Sequence, residues 1–205
     1  TLPAYMTGYI YDRDLWRKVE SPLPEVIYNR ITNRKTEHHP HVVQALRTLK
    51  EKSRVFNPGF FNKATIIKYL LESSQLDHFL PKTIFNPSKQ MVSEMLKQDA
   101  VYIKATHGSR GEGLCRVKRN HDGTLDVLEA DARHPHRFPS TDSFFQAFFP
   151  KGSAGYLIQP QINLLETEGK PLDFRVHTNK DETGKWKLTL IAVKTGNGLN
   201  PTTHH

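Results

Sequence analysis

VYIKATHGSRGEGLCRVKRNHDGTLDVLEA, residues 101–130, decides the architecture. Val101 and Ile103 alternate with Tyr102 and Lys104 at the period of a half-buried strand, so the first pair faces a core and the second the opposite side. His107 to Gly113 carries glycines at 108, 111 and 113, a second alternating run begins at Leu114, and Asp122-Gly123 is a hairpin-turn pair ahead of a third run. The expected order is strand, glycine loop, strand, turn, strand. A lysine aimed out of a sheet just ahead of bare backbone suits phosphate: glycine amides can turn toward phosphate oxygens unobstructed, and Lys104 supplies a point charge. Taken alone, such a loop is more often a plain hairpin with a surface lysine. It is not a Walker A loop, because no Gly-Lys-Ser/Thr follows and the next element reads as a strand.

Working outward, Glu25 to Asn29 (EVIYN) has strand composition, and HVVQALRTL places Val42, Leu46 and Leu49 on one helical face. Asn62 is set to cap a helix in which Ile66, Ile67, Leu70 and Leu71 recur, and Leu80-Pro81 ends that region. A further helix is expected from Asn86, with Pro87 in its first turn and Met91, Met95, Val92 and Leu96 four apart. Downstream, a helix capped at Ser140 or Thr141 carries Phe144, Phe145, Phe148 and Phe149, and GYLIQP (155–160) reads as a strand. In the closing hairpin Leu172, Phe174 and Val176 should face one way and Asp173, Arg175 and His177 the other, with a turn at Glu182 to Gly184.

The 205 residues, 37% hydrophobic, can build a substantial core but are few for two independent full-sized domains, so lobes sharing a cleft are expected. No run of eighteen apolar residues occurs and the start lacks the order of a signal peptide, which predicts a soluble, cytoplasmic protein. The one cysteine, Cys115, excludes an internal disulfide and a cysteine-rich zinc site, and its strand setting suits a small core residue. A net charge of +8 favours anionic partners, yet the basic residues are scattered without a block, as on a solvated surface. Neither His38, His39 and His41 nor His134 and His136 has zinc-site spacing. His204 and His205 fit either a tag or the native chain. No repeat or low-complexity segment interrupts the fold.

Taken in order, FFNKATIIKYLL, LPKT, VYIKATHGSRGEGLCRV, YLIQPQINL and LDFRV resemble the ATP-grasp superfamily. YNRITNRKTE, FNPGFFNK, DFRVHTNKDETGKW and NPTTHH are similar to its endospore-coat-associated, YheC/YheD-type branch. The resemblance implies an α+β ATP-grasp fold, two lobes clasping ATP, with a partial N-terminal α/β lobe over 1–60. A helical connection over 61–98, a central lobe over 99–157 and the start of a C-terminal lobe over 158–205 would follow. It further implies that Lys63 and Lys104 touch phosphate, and that His107, Gly108, Ser109, Arg110, Gly111 and Gly113 form the phosphate loop. Gln159, Pro160, Gln161 and Ile162 would present the hinge to adenine, with Gln159 where many relatives carry an acid. Asp173 would sit near ribose or metal, and Arg175 would meet phosphate or a substrate carboxylate, with Lys104 and Arg175 as the catalytic pair.

By the same resemblance the full protein would be an ATP- and Mg²⁺-dependent carboxylate–amine ligase working through an acyl phosphate. ATP-grasp enzymes hold magnesium through an acid and a Glu-x-Asn pair on later strands, so the metal ligands are expected beyond this chain, which would be C-terminally incomplete. Arg30 and Arg34 are candidates for gripping an anionic carboxylate substrate, peptide-like or polymeric. As plain residues, Lys63 could decorate a helical turn, and Asp173 with Arg175 could form a surface ion pair. The rival class is a non-catalytic nucleotide- or anion-binding scaffold, as in a spore coat. Nucleic-acid binding ranks last, since the aromatics sit at core-like spacings.

Overall fold

A computed structural model describes residues 5–108, 112–130 and 132–196, and the chain divides into two compact units, 1–61 and 62–205. The first opens with an antiparallel hairpin of β1 (Tyr5–Asp12) and β2 (Leu15–Pro22). Its two-residue turn is Arg13-Asp14, both at positive φ, 47° and 64°. That backbone usually calls for Asn-Gly or Asp-Gly, so the turn carried no sequence signal. Next come β3 (Val26–Tyr28), a single-turn helix α1 (Arg34–Glu37), helix α2 (Pro40–Lys50) and β4 (Arg54–Phe56). β3 and β4 pair in parallel, the β-then-α opening that the sequence implies, and Val42, Leu46 and Leu49 are the expected half-buried stripe of α2.

In the second unit Asn62 caps α3 (Lys63–Leu71), its side chain accepting from the Ala64 and Thr65 amides. The apolar stretch closes in a 3₁₀ turn, Asp77–Phe79, before β5 (Ile84–Phe85). The helix expected from Asn86 begins later: Ser88 caps α4 (Lys89–Met95). Asn86 itself takes φ 49° and uses its side chain to accept from the Gly155 amide, which excludes it from the helix. β6 (Val101–Ala105), β7 (Leu114–Arg119), β8 (Leu125–Glu129) and β9 (His136–Phe138) follow, then α5 (Thr141–Phe148) and β10 (Tyr156–Pro160). Ser140 is the cap of α5, in a capping box with Ser143.

These strands form one antiparallel sheet in the order β5-β10-β6-β7-β8-β9. Its helix-side face buries Val101, Ile103, Cys115, Val117, Leu125, Val127 and Ile158 under Val92 of α4 and Phe144 of α5, with Leu96 and Phe149 at the C-terminal ends of the two helices. Each such side chain contributes about 1.5 to 3 kcal/mol, so this layer fixes the sheet rigidly. Because the register opposes Tyr102 to both Gln159 and Arg116, and Lys104 to Leu114 and Leu157, these residues all lie on the other face.

The chain continues into a separate sheet of β11 (Glu166–Thr167), β12 (Lys170–Lys180) and β13 (Trp186–Thr195). Leu172, Phe174 and Val176 alternate with Asp173, Arg175 and His177 as expected, but the burial does not follow the apolar set. Phe174 and Val176 are 53% and 56% exposed, whereas Asp173 and Arg175 are half-buried. A bulge between His177 and Thr178 shifts the pairing with β13.

Candidate functional site

Lys63 opens the first turn of α3, and its backbone amide donates to the Thr106 carbonyl at 3.0 Å. Its ammonium reaches across to the end of β6, donating to the carbonyls of Ala105, at 3.1 Å, and Gly108. Lys63 therefore grips the mouth of the glycine loop by its backbone oxygens. Asn62 adds a second tie. With its Oδ1 occupied by helix amides, its NH₂ faces His107 Nε2 at 2.8 Å. An amide NH₂ only donates, so Nε2 accepts and Nδ1 keeps the ring proton for the Thr106 hydroxyl, 3.0 Å away.

Gly108 and Gly113, the described glycines of the loop, stand where a side chain has no room. A Cβ at Gly108, which is buried, would stand 2.0 Å from the Glu112 carbonyl oxygen, and one at Gly113 would stand 2.5 Å from Ala105 Cβ. Gly113 also takes φ 65°, the left-handed region. Ser109, Arg110 and Gly111, the remainder of the expected phosphate loop, lie outside the described residues.

Lys104 projects from the face opposite the core, as the alternation of residues 101–104 predicts. Burial pushes its amine below the ordinary lysine range, and the nearby charge of Lys63 pushes it further. Its Nζ donates to Gln159 Oε1 at 2.8 Å and lies 5.8 Å from the centre of the Tyr102 ring. Burial in turn raises the Tyr102 phenol, with Arg116 opposing the shift. Arg116 stands beside Tyr102 in the register and donates from Nε to Gln161 Oε1 at 2.6 Å. The ion pairs among the described residues involve other cations. Two cations on one face are thus held by neutral glutamine oxygens.

Those glutamines come from the expected hinge. Gln159 is 7% exposed within β10, Pro160 pairs with Val101 at the strand's end, and Ile162 is exposed. Pro160 has no N–H, and that of Gln161 donates to the Ala100 carbonyl, which leaves Ile162 to supply an amide donor to a ligand.

The other expected residues stand elsewhere. Asp173 and Arg175 share a face of β12, in the separate sheet. In the first unit, Arg34 donates to the Phe61 carbonyl at 2.6 Å and lies over the Phe60 ring, while the buried Glu37 accepts from the Phe60 amide. Arg34 there braces the loop that precedes Asn62. Arg30 stacks on Tyr28 at 5.5 Å. Sequence reasoning missed Arg116 and Thr83, the latter bonded to Gln159 at 2.8 Å. Alternation with Lys104 across a hairpin marked Arg116. No local pattern marks Thr83, which meets Gln159 only through the fold.

The cationic face and the tightly packed glycines beside it suit an anionic, phosphate-bearing ligand. Among the described residues no group of three His, Cys, Asp or Glu side chains comes together. Also among them, no helix is long and apolar enough to cross a membrane.

Residues 52–205 match the YheC/D-like ATP-grasp family. The endospore coat-associated protein YheD of Bacillus subtilis (strain 168) is 37% identical over 96% of this chain and 45% of its own length. The endospore coat-associated protein YheC of the same organism is 25% identical over 96% of this chain and 55% of its own length. The chain therefore spans about half of each of these relatives. No solved structure is matched by it. With residues 52–205 matched by the family model and YheD 37% identical over 96% of the chain, the chain belongs to the YheC/D-like ATP-grasp family.

Proposed function

We propose that the chain is the ATP-binding part of an ATP-dependent carboxylate–amine ligase. The observation that carries this reading is the convergence of Lys63, Lys104 and the backbone of Ala105 and Gly108 at the start of the glycine loop. The charge of Lys63 and partial withdrawal from water both press on the Lys104 ammonium, a setting that suits a site for an anion.

In the proposed reaction a substrate carboxylate oxygen attacks the γ-phosphorus of ATP, ADP leaves, and an acyl phosphate forms. An amine nitrogen then attacks the acyl carbon, and phosphate departs as the amide bond closes. Lys63 and Lys104 bind the phosphates and offset charge as it shifts toward the leaving oxygen. The Ile162 amide, with the hinge backbone, orients the base. Asp173 is assigned to the ribose side, and Arg175 to the transferred phosphate or substrate carboxylate. The residue ranges 1–60, 61–98, 99–157 and 158–205 are proposed as partial N-terminal lobe, connection, central lobe and start of a C-terminal lobe. The magnesium that ATP-grasp chemistry uses is assigned to ligands outside this chain.

Calorimetric titration of ATP with Mg²⁺ tests this directly. Saturable binding is expected, lost in Lys63→Ala and in Lys104→Ala, each of which remains folded by circular dichroism. Folded protein that takes up no ATP, or a Lys104→Ala variant of unchanged affinity, would overturn the assignment. A second reading, a nucleotide- or anion-binding scaffold of a spore coat, is favoured by the printed names of both relatives. ATP binding without ADP release across a panel of carboxylates and amines would select it.

A further inference from the structure

We propose that Thr83 is a positioning residue for Lys104, acting through the side-chain amide of Gln159. The proposal rests on the nucleotide-site reading for its purpose, though not for its geometry. Gln159 is 7% exposed, so its amide is satisfied by protein groups or left wanting. Its Oε1 accepts from Lys104 Nζ at 2.8 Å and its Nε2 donates to Thr83 Oγ1 at 2.8 Å. The Thr83 hydroxyl donates its single proton to the Pro81 carbonyl, 2.9 Å away. With that proton committed, Thr83 faces the amide as an acceptor, and only the NH₂ end of Gln159 fits against it. The carbonyl end is then turned to Lys104. An ammonium only donates, so the flipped amide would set donors against donors. Thr83 and Lys104 therefore fix the same direction of the amide from its two ends.

The amide has a property that a carboxylate lacks. A carboxylate at 159 would accept from Lys104 in any orientation and would also neutralise it. Gln159 holds the lysine in place while leaving its positive charge uncompensated for an anion on the same face. Arg116 and Gln161, at 2.6 Å, repeat the device with a second cation and a second neutral acceptor from the same segment. The charged and titratable groups facing Lys104 are Lys63 from α3 and, from its own sheet face, Tyr102 with Arg116 beyond it. Burial and Lys63 both press the lysine toward neutrality, and the Gln159 oxygen, its acceptor among the described residues, opposes them.

The test uses Thr83→Val, which keeps the shape without the hydroxyl, and Thr83→Ser, which restores it, each alone and combined with Gln159→Glu. The first readout needs no nucleotide: the ¹³Cε resonance of Lys104 followed through an alkaline titration. Thr83→Val is expected to move the Lys104 titration downward by roughly one pH unit, with Thr83→Ser returning it. In the Gln159→Glu background Thr83→Val should have no such effect, because both carboxylate oxygens accept. The second readout is calorimetric ATP affinity, expected to fall about tenfold in Thr83→Val and to recover in Thr83→Ser. An unmoved Lys104 titration in Thr83→Val overturns the relay. So does an equal displacement in the Gln159→Glu background, which is the mark of repacking. If Lys104 responds as expected while no variant or parent binds ATP, the relay stands and the nucleotide reading fails; the converse pattern separates them the other way.

Discussion

Gly113→Ala isolates how tightly the glycine loop is closed against β6. At φ 65° an alanine pays about 1 to 2 kcal/mol for the left-handed conformation. Its new Cβ would also stand 2.5 Å from Ala105 Cβ. The strand cannot simply slide away, because the Ala105 amide donates to the Gly113 carbonyl at 2.8 Å. Overpacking of that kind costs about 1 to 3 kcal/mol, so the substitution should destabilise by about 2 to 5 kcal/mol in total. Gly123→Ala is the control: its φ is 84° with nothing within 4 Å of a built Cβ, so only the conformational part, about 1 to 2 kcal/mol, applies. Urea denaturation at constant m-value measures both. The decisive arm is Ala105→Gly, which removes the clashing carbon. In that background the cost of Gly113→Ala should fall to that of Gly123→Ala. Equal costs at 113 and 123 in the parent, or no relief from Ala105→Gly, would refute the steric argument.

Three further outcomes follow from the same geometry. Asn62→Ala should cost about 1 kcal/mol as a lost helix cap and also weaken ATP binding, since Asn62 ties His107 to the start of α3; an unchanged urea midpoint would count against the cap. Cys115 is pushed up to about 12 by burial first and Glu129 second, so in native protein at pH 8 a thiol reagent should label it only as fast as the fold opens, and rapid labelling would contradict its place in the core. Lys104 titrates below its unfolded value of 10.5, so between those two pH values the unfolded chain holds more protons and stability rises with pH, the penalty being full below the window. Lys104→Met should abolish that rise in urea midpoints, whereas Tyr102, raised from 10.0, contributes the opposite slope to both proteins and drops out of the difference.

Where the sequence spoke through local chemistry, it was legible. The alternation at 101–104, the Asp122-Gly123 turn and the caps at Asn62 and Ser140 each answer to neighbours within a few residues, and each is found in place. The β1–β2 hairpin escaped because Arg13-Asp14 adopts a turn that its composition does not advertise. Asn86 was misplaced by a helix-start pattern whose first residue bonds instead to Gly155, far along the chain. The hairpin of β12 and β13 shows the other limit: alternation reports which residues share a face, not which face acquires a cover. Phe174, Val176, Leu188, Ile191 and Val193 are each more than half exposed, although their pattern is that of a core. The bonds of Thr83 to Gln159 and of Arg116 to Gln161 could not be read beforehand, because these pairs are set by tertiary approach.

Several of the places where the chain breaks local rules fall at the candidate site. Lys63 puts a cation at the positive end of a helix, where the dipole disfavours it. Lys104 is withdrawn from water beside that same charge. Gly108 and Gly113 leave no space for side chains at the turn between two strands. Each departure carries a stability cost by itself, and an isolated one would need no functional explanation. On the opposite face of the same sheet the residues keep to rule: Val101, Ile103, Val117 and Val127 are fully buried, alternating and apolar. On the Lys104 face, neutral glutamines instead hold Lys104 and Arg116 without cancelling their charge, an arrangement that suits the proposed anion site.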